Sequence, residues 1–209
     1  MSFKPIIALD ADGVLLDYNL AYASVWERAF GQRPAEKDKD GYSPLDRWAV
    51  EFLEGERLAV LRAYMDEQFW SSVPPLELAV DACHRLHDAG YDLVCVSALA
   101  NDFQDFRLRN LRDAGFPIER VIATGRSAGA RSPKADAIEQ LAPVAFVDDF
   151  LPYFRGIPPA VHRALITRGG NGTPNVGPEL AQIHSLHGDL WRFSEWVLGP
   201  GCTLRSRAP

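Results

Sequence analysis

Cysteine is scarce in this chain: three residues in 209, Cys83, Cys95 and Cys202. So odd and scattered a set excludes a disulfide framework and reads as reduced thiols in a cytoplasmic protein. Basic residues are in deficit too, 22 Lys and Arg against 28 Asp and Glu, for a formal net charge of −6. That balance speaks against a general nucleic-acid binder, which carries a basic surface, so no nucleic-acid polymer is expected as a partner. It leaves room for a small anionic substrate, because a few local cations are enough to line a pocket. Long apolar runs are missing: none approaches the roughly 20 residues that span a bilayer, and no membrane association is expected. The opening Met1-Ser2-Phe3-Lys4-Pro5 meets an apolar run at once and shows no signal-peptide pattern. There is no internal repeat.

What is present is organised around short apolar runs. Ile6-Ile7-Ala8-Leu9 leads into Asp10-Ala11-Asp12-Gly13, Leu93-Val94-Cys95-Val96 is closed by Ser97, and Val144-Ala145-Phe146-Val147 is closed by Asp148-Asp149. Runs of this length read as buried parallel strands. In open parallel sheets, ligands bind just beyond the carboxyl ends of the strands. Three strand ends therefore deliver carboxylates and a hydroxyl to one rim, and Lys134 follows from a nearby loop.

The first strand is expected over roughly 5 to 10 and a helix over about 20 to 30, stopped by Gly31. Residues 32 to 44 read as a solvated loop, followed by helical patterns over about 44 to 54 and 55 to 70, and Pro74-Pro75 begins the return. Helices near 76–89, 102–114 and 134–141 then alternate with strands at 91–96, 120–123 and 143–148, and Ala164-Leu165-Ile166 reads as the last strand. This alternation implies an α/β protein, a Rossmann-like three-layer α/β/α core with a parallel sheet. The expected division is a core of 1–16 and 76–200, a small all-helical cap of 17–75, and a loosely held tail of 201–209.

The residues at the rim carry definite chemistry. A carboxylate can attack phosphorus and form an aspartyl-phosphate. A second carboxylate can protonate the leaving oxygen and then take a proton from the hydrolytic water. Asp148 and Asp149 supply oxygen ligands suited to Mg²⁺, and so many carboxylates together call for a cation. Ser97 can donate to a phosphoryl oxygen, and Lys134 can neutralise its charge. Each feature is weak alone: Asp10/Asp12 could be an Asp-rich turn, Ser97 a helix cap, Lys134 a surface lysine.

Together, Asp10-Ala11-Asp12-Gly13-Val14, Ser97, Lys134 and Asp148-Asp149 resemble, in order and spacing, the four motifs of haloacid dehalogenase-like hydrolases. The helical insertion after the first motif resembles that superfamily's small α-helical cap. The resemblance implies Asp10 as nucleophile and Asp12 as general acid/base. It implies Mg²⁺ held by the Asp10 carboxylate, the Asp12 carbonyl and the Asp149 carboxylate, with Asp148 beside them on metal-bound water or on Lys134. Ser97 and Lys134 would hold the transferring phosphoryl group with the backbone N–H groups of Ala11, Asp12 and Ala98. Dehalogenating members lack an aspartate where Asp12 stands, so the resemblance implies a phosphatase acting on a small phosphorylated metabolite, a nucleotide or sugar phosphate among them. A phosphomutase of the same superfamily and a non-catalytic phosphate-binding protein are the alternatives. A phospho-accepting receiver domain has its acidic pair and phospho-acceptor in a different order.

Among the cap aromatics most are expected to form its core, with Tyr42, Arg47 and Trp48 the first candidates to face substrate. Arg126 and Arg131 flank the loop before Lys134; solvent exposure is their default reading and contact with a second anionic group the alternative, with Arg126 the candidate for substrate specificity. His84 and His87, and His184 and His187 in an expected helix, lie three apart without a third ligand and read as surface residues.

Overall fold

The computed structural model describes residues 4–125, 130–202 and 204. Six parallel strands form one sheet: β1 (Ile6–Leu9), β2 (Asp92–Ser97), β3 (Arg120–Ala123), β4 (Ala145–Asp148), β5 (His162–Ile166) and β6 (Ser185–His187), in the order β3-β2-β1-β4-β5-β6. Starting from β1 the chain builds outward through β2 to β3, then returns to β4 on the other side of β1. The order therefore reverses at β1, and the crevice opens beyond the carboxyl ends of β1 and β4, where Asp10 and Asp148-Asp149 lie.

The sheet is buried on both sides, which is why its central strands are continuous apolar runs. Side chains alternate faces: Ile7, Leu9, Leu93 and Cys95 join one apolar layer, Ala8, Val94 and Val96 the other. The first layer is covered by α5 (Ala79–Asp88) and α8 (Leu190–Leu198), the second by α7 (Ala135–Leu141). Helix α6 (Gln104–Asp113) packs beside β3.

Between β1 and α5 lie α1 (Tyr18–Phe30), α2 (Pro44–Arg47), α3 (Gly55–Ala63) and α4 (Glu67–Trp70). Asp17 caps α1 by accepting from the Leu20 N–H, and Gly31 ends it in the left-handed conformation at φ 79°. The expected helix over 44–54 is a single turn. Ser43 and Asp46 form a capping box, but Trp48 is already extended, because its segment pairs instead with residues 35–37 through Ala49 N–H to Ala35 O and Lys37 N–H to Arg47 O. The expected helix over 55–70 is two helices, since Asp66 starts α4 by accepting from the Phe69 N–H. Segment 17–75 is thus helical with a long irregular stretch rather than helical throughout.

At the other edge, β5 is not the last strand. His187 lies in β6 and His184 just before it, not in a helix. Three residues with a histidine among them present no apolar run to read. Leu204 is buried against the first apolar layer, so the tail is anchored at that point; residues 203 and 205–209 lie outside the described residues. No helix among the described residues is long and apolar enough to cross a membrane.

Candidate active site

The site is assembled from strand ends. Asp10 follows β1, where its N–H donates to Val147 O (2.9 Å) and its carboxylate accepts from the Ala11 N–H (2.7 Å). Lys134, in the loop turning into α7, reaches beneath it. Its ammonium, wholly buried, bridges Asp10 Oδ1 at 2.7 Å and Asp148 Oδ2 at 2.6 Å and lies 4.5 Å from the centre of the Tyr153 ring. Asp149 is held from the far side: Arg168 Nε donates to its Oδ2 at 2.6 Å, and its carbonyl accepts from Tyr42 Oη–H (3.1 Å) and Asn175 Nδ2 (2.7 Å). Carboxylate oxygens of Asp10, Asp148 and Asp149 all lie within 4.8 Å of one another.

Burial raises the Asp148 carboxyl well above the usual range, against the pull of Lys134, and raises that of Asp149 against the pull of Arg168. Burial also works to lower the Lys134 pKa, but the charges of Asp10 and Asp148 outweigh it, so the amine is raised above its ordinary value and stays protonated. Three clustered carboxylates thus face two cations, Lys134 and Arg168. The donors of the cluster are hard oxygens. These residues fit a divalent oxygen-seeking cation, which at Asp149 would have to compete with the Arg168 guanidinium.

Asp12 stands apart from this group. Its carboxylate is gripped by Arg107 Nη2, 2.9 Å from Oδ1 and 3.2 Å from Oδ2. Asp10, Asp12, Ser97, Ala98 and Asp149 line one open cavity of ≈ 280 Å³, together with Tyr42, Asn19 and Tyr18 from the α1–α2 segment. Lys134 and Asp148 lie under its floor. Ala11 is buried and its N–H is engaged by Asp10. Arg47 and Trp48 are placed elsewhere: Arg47 pairs with Asp17 and Glu36, and the Trp48 ring is buried with its Nε1–H donating to Asn19 O (2.7 Å). A tryptophan that braces the cavity wall from behind cannot also face the cavity. Arg126 lies outside the described residues, and Arg131 is paired with Asp136 and Glu139.

Two cationic residues of the site escaped the sequence reading. Arg168 carried a usable signal, since it follows the apolar strand β5 as Asp10 follows β1. Arg107 carried none: α6 holds three arginines, Arg107, Arg109 and Arg112, and nothing in the sequence marks the one that is buried.

The sheet order, the strand ends carrying Asp10, Ser97 and Asp148-Asp149 and the largely helical insertion after β1 are those of a haloacid dehalogenase-like fold, shared with solved structures. The chain is similar to the L-2-haloacid dehalogenase of Xanthobacter autotrophicus with chloropropionic acid covalently bound, at 15% identity and TM-score 0.59 over 95% of this chain and 100% of that one. It is similar to a HAD family hydrolase of Deinococcus radiodurans with bound phosphate and sodium, at 15% identity and TM-score 0.58 over 93% and 95% of the two chains. It is also similar to CbbY of Rhodobacter sphaeroides in complex with phosphate, at 14% identity and TM-score 0.56 over 91% and 96%. No protein-family model and no curated protein sequence matches it.

Proposed function

We propose that this protein is a Mg²⁺-dependent phosphatase that hydrolyses a small phosphorylated metabolite through an aspartyl-phosphate. The observation that carries the reading is the pairing of roles in one cavity: Asp10 with a protonated lysine 2.7 Å from its carboxylate, and a second, separately held carboxylate two residues on. Asp12 favours an ester hydrolase over a dehalogenase, because an alkoxide leaving group needs a proton and a halide does not.

In the first step an Asp10 carboxylate oxygen forms a bond to phosphorus while the bond to the ester oxygen breaks. The carboxyl proton of Asp12 passes to that oxygen, and the alcohol leaves. In the second step water adds to phosphorus, Asp12 takes its proton, the bond to Asp10 breaks, and inorganic phosphate departs with both aspartates restored. Lys134 holds the nucleophile's charge and would neutralise the phosphoryl oxygens, with Ser97, which lines the cavity, and the Ala98 N–H as the other donors to them. Asp10, Asp149 and the Asp12 carbonyl would hold Mg²⁺, with Asp148 next to them on Lys134; the ion supplies charge neutralisation at the phosphoryl group when bound. Segment 17–75 serves as a cap, contributing Tyr42, Asn19 and Tyr18 to the lining of the cavity that Asp10 faces. The buried free thiols Cys83 and Cys95 are compatible with a reducing compartment, the cytoplasm.

The test is release of inorganic phosphate from a panel of small phosphate esters with Mg²⁺, with Asp10→Asn as control. Release that is abolished by EDTA and by the substitution supports the reading. Intramolecular transfer without net phosphate release would point to a mutase, and ligand binding without turnover to a phosphate-binding protein; either overturns it.

A further inference from the structure

Arginine is among the most expensive side chains to bury, and Arg107 is wholly buried. Its Nε has no hydrogen-bond partner among the described residues, a further cost that packing does not offset. Its one salt-bridge partner among the described residues is Asp12. The two ends of this pair differ: the guanidinium is 0% exposed, whereas the Asp12 side chain is 29% exposed and opens on the cavity. Arg107 therefore grips the carboxylate from behind. One nitrogen, Nη2, serves both oxygens, at 2.9 and 3.2 Å.

The grip is itself held. Arg107 Nη1 donates to Asn110 Oδ1 (3.2 Å), Asn110 Nδ2 donates to Val73 O (3.0 Å), and the guanidinium carbon lies 5.3 Å from the centre of the Trp70 ring. Helix α6, which presents Arg107 and Asn110 three residues apart on one face, is thereby locked to the segment that returns from α4 to the core. A planar fork fits this double duty, one nitrogen to Asp12 and the other to Asn110, where a single ammonium does not.

We propose that Arg107 is a positioning residue for catalysis by Asp12: it fixes the torsions of the Asp12 side chain so that the carboxyl meets the leaving oxygen already ordered. The inference rests on the phosphatase reading. It makes a distinction that a purely structural arginine would not. Aryl esters with a good leaving group, such as p-nitrophenyl phosphate, expel a phenolate that needs little protonation, whereas alkyl esters such as glycerol phosphate expel an alkoxide and depend on the acid. Loss of Arg107 therefore slows alkyl esters selectively.

The experiment compares kcat and KM of the wild type, Arg107→Gln and Arg107→Lys on these two esters with Mg²⁺. General acid catalysis contributes about 10²–10⁴-fold, so Arg107→Gln is expected to cut kcat on the alkyl ester at least about tenfold more than on the aryl ester, with KM little changed. Arg107→Lys should fall between the two. In an Asp12→Asn background, Arg107→Gln should leave the alkyl-to-aryl ratio where Asp12→Asn put it. An equal fall on both esters, or no fall, overturns the inference. If Arg107→Gln does not fold, Arg107→Lys decides: an unchanged ratio in that variant overturns it. A wild type that releases phosphate from neither ester overturns the phosphatase reading and this inference together, whereas wild-type turnover with an unchanged ratio overturns this inference alone.

Discussion

Lys134 is the residue on which the floor of the site depends. A buried ammonium, a buried Asp148 and a nearly buried Asp10 are each costly alone, and they are tolerated because they compensate one another. Lys134→Met leaves two carboxylates facing each other without a cation. It is expected to cost about 3–5 kcal/mol of stability, read from urea unfolding, and to reduce phosphate release to background. The pH response has a definite sign. A carboxyl whose folded pKa lies above its ordinary value, as at Asp148, binds protons more tightly when folded, so stability increases as the pH falls from that raised pKa towards the ordinary 3.8. Without Lys134 this window widens, and the variant should recover stability on mild acidification relative to its own value at neutral pH. Arg168 occupies the corresponding place at Asp149 but can be displaced, being 25% exposed where Lys134 is 0% exposed. Arg168→Gln should therefore let Mg²⁺ raise the melting temperature at a roughly fivefold lower concentration, as when an ion no longer displaces an ion pair worth about 1 kcal/mol. Asp149→Asn should remove the response; a melting curve insensitive to Mg²⁺ in the wild type would contradict both expectations.

The turn after β1 shows how one element sets several of these contacts. Gly13 sits at φ +91°, and a Cβ there would run into the Asp149 carboxylate and lie 2.5 Å from Arg168 Nε. Gly13→Ala should cost about 1–3 kcal/mol through backbone strain and lose most activity by moving Asp149, even though no reacting group is altered; thermal melts and phosphate release measure the two effects. The elements that were legible in the sequence are those whose environment is uniform. β1, β2 and β4 are buried on both faces, so their residues form unbroken apolar runs, and their ends could be read as the rim of a site with Asp10, Asp12, Ser97, Asp148 and Asp149 on it. The α1 boundary was legible because Gly31 is a local stop signal. Elements decided by distant contacts were not. The turn α2 yields to pairing with residues 35–37, β6 is three residues at a sheet edge, Trp48 is turned inward by a hydrogen bond to Asn19, and Arg107 is one of several arginines until the fold buries it.

On the scale of the whole molecule, an acidic chain concentrates cations at one place: Lys134, Arg107 and Arg168 all reach the carboxylates of a single crevice. The same crevice is where the segment between β1 and α5 is tied to the core. Tyr42 N–H donates to Asn171 O at 2.9 Å, Asn171 N–H to Asp40 O at 3.2 Å, Asn171 Nδ2 to Asp38 Oδ2 at 2.7 Å, and Arg168 Nη1 to Tyr42 O at 3.1 Å. The loop after β5 thus straps residues 38–42 against the edge of the cavity, and Tyr42 reaches Asp149 from within that strap. Motions of the segment should be governed by the strap and not by the sheet, whose strands are held by two apolar layers. Asn171→Ala removes one side-chain bond and keeps the backbone ones, a change of about 0.5–1 kcal/mol. Opening of residues 38–50 should become about two- to fivefold more frequent, seen as faster amide hydrogen exchange there, while amides of β1, β2 and β4 exchange as before. A uniform acceleration across the sheet would mean that the strap supports global stability. Exchange unchanged everywhere would mean that the α1–α2 segment is held by its own packing, through Trp48 and Asn19, independently of the loop after β5.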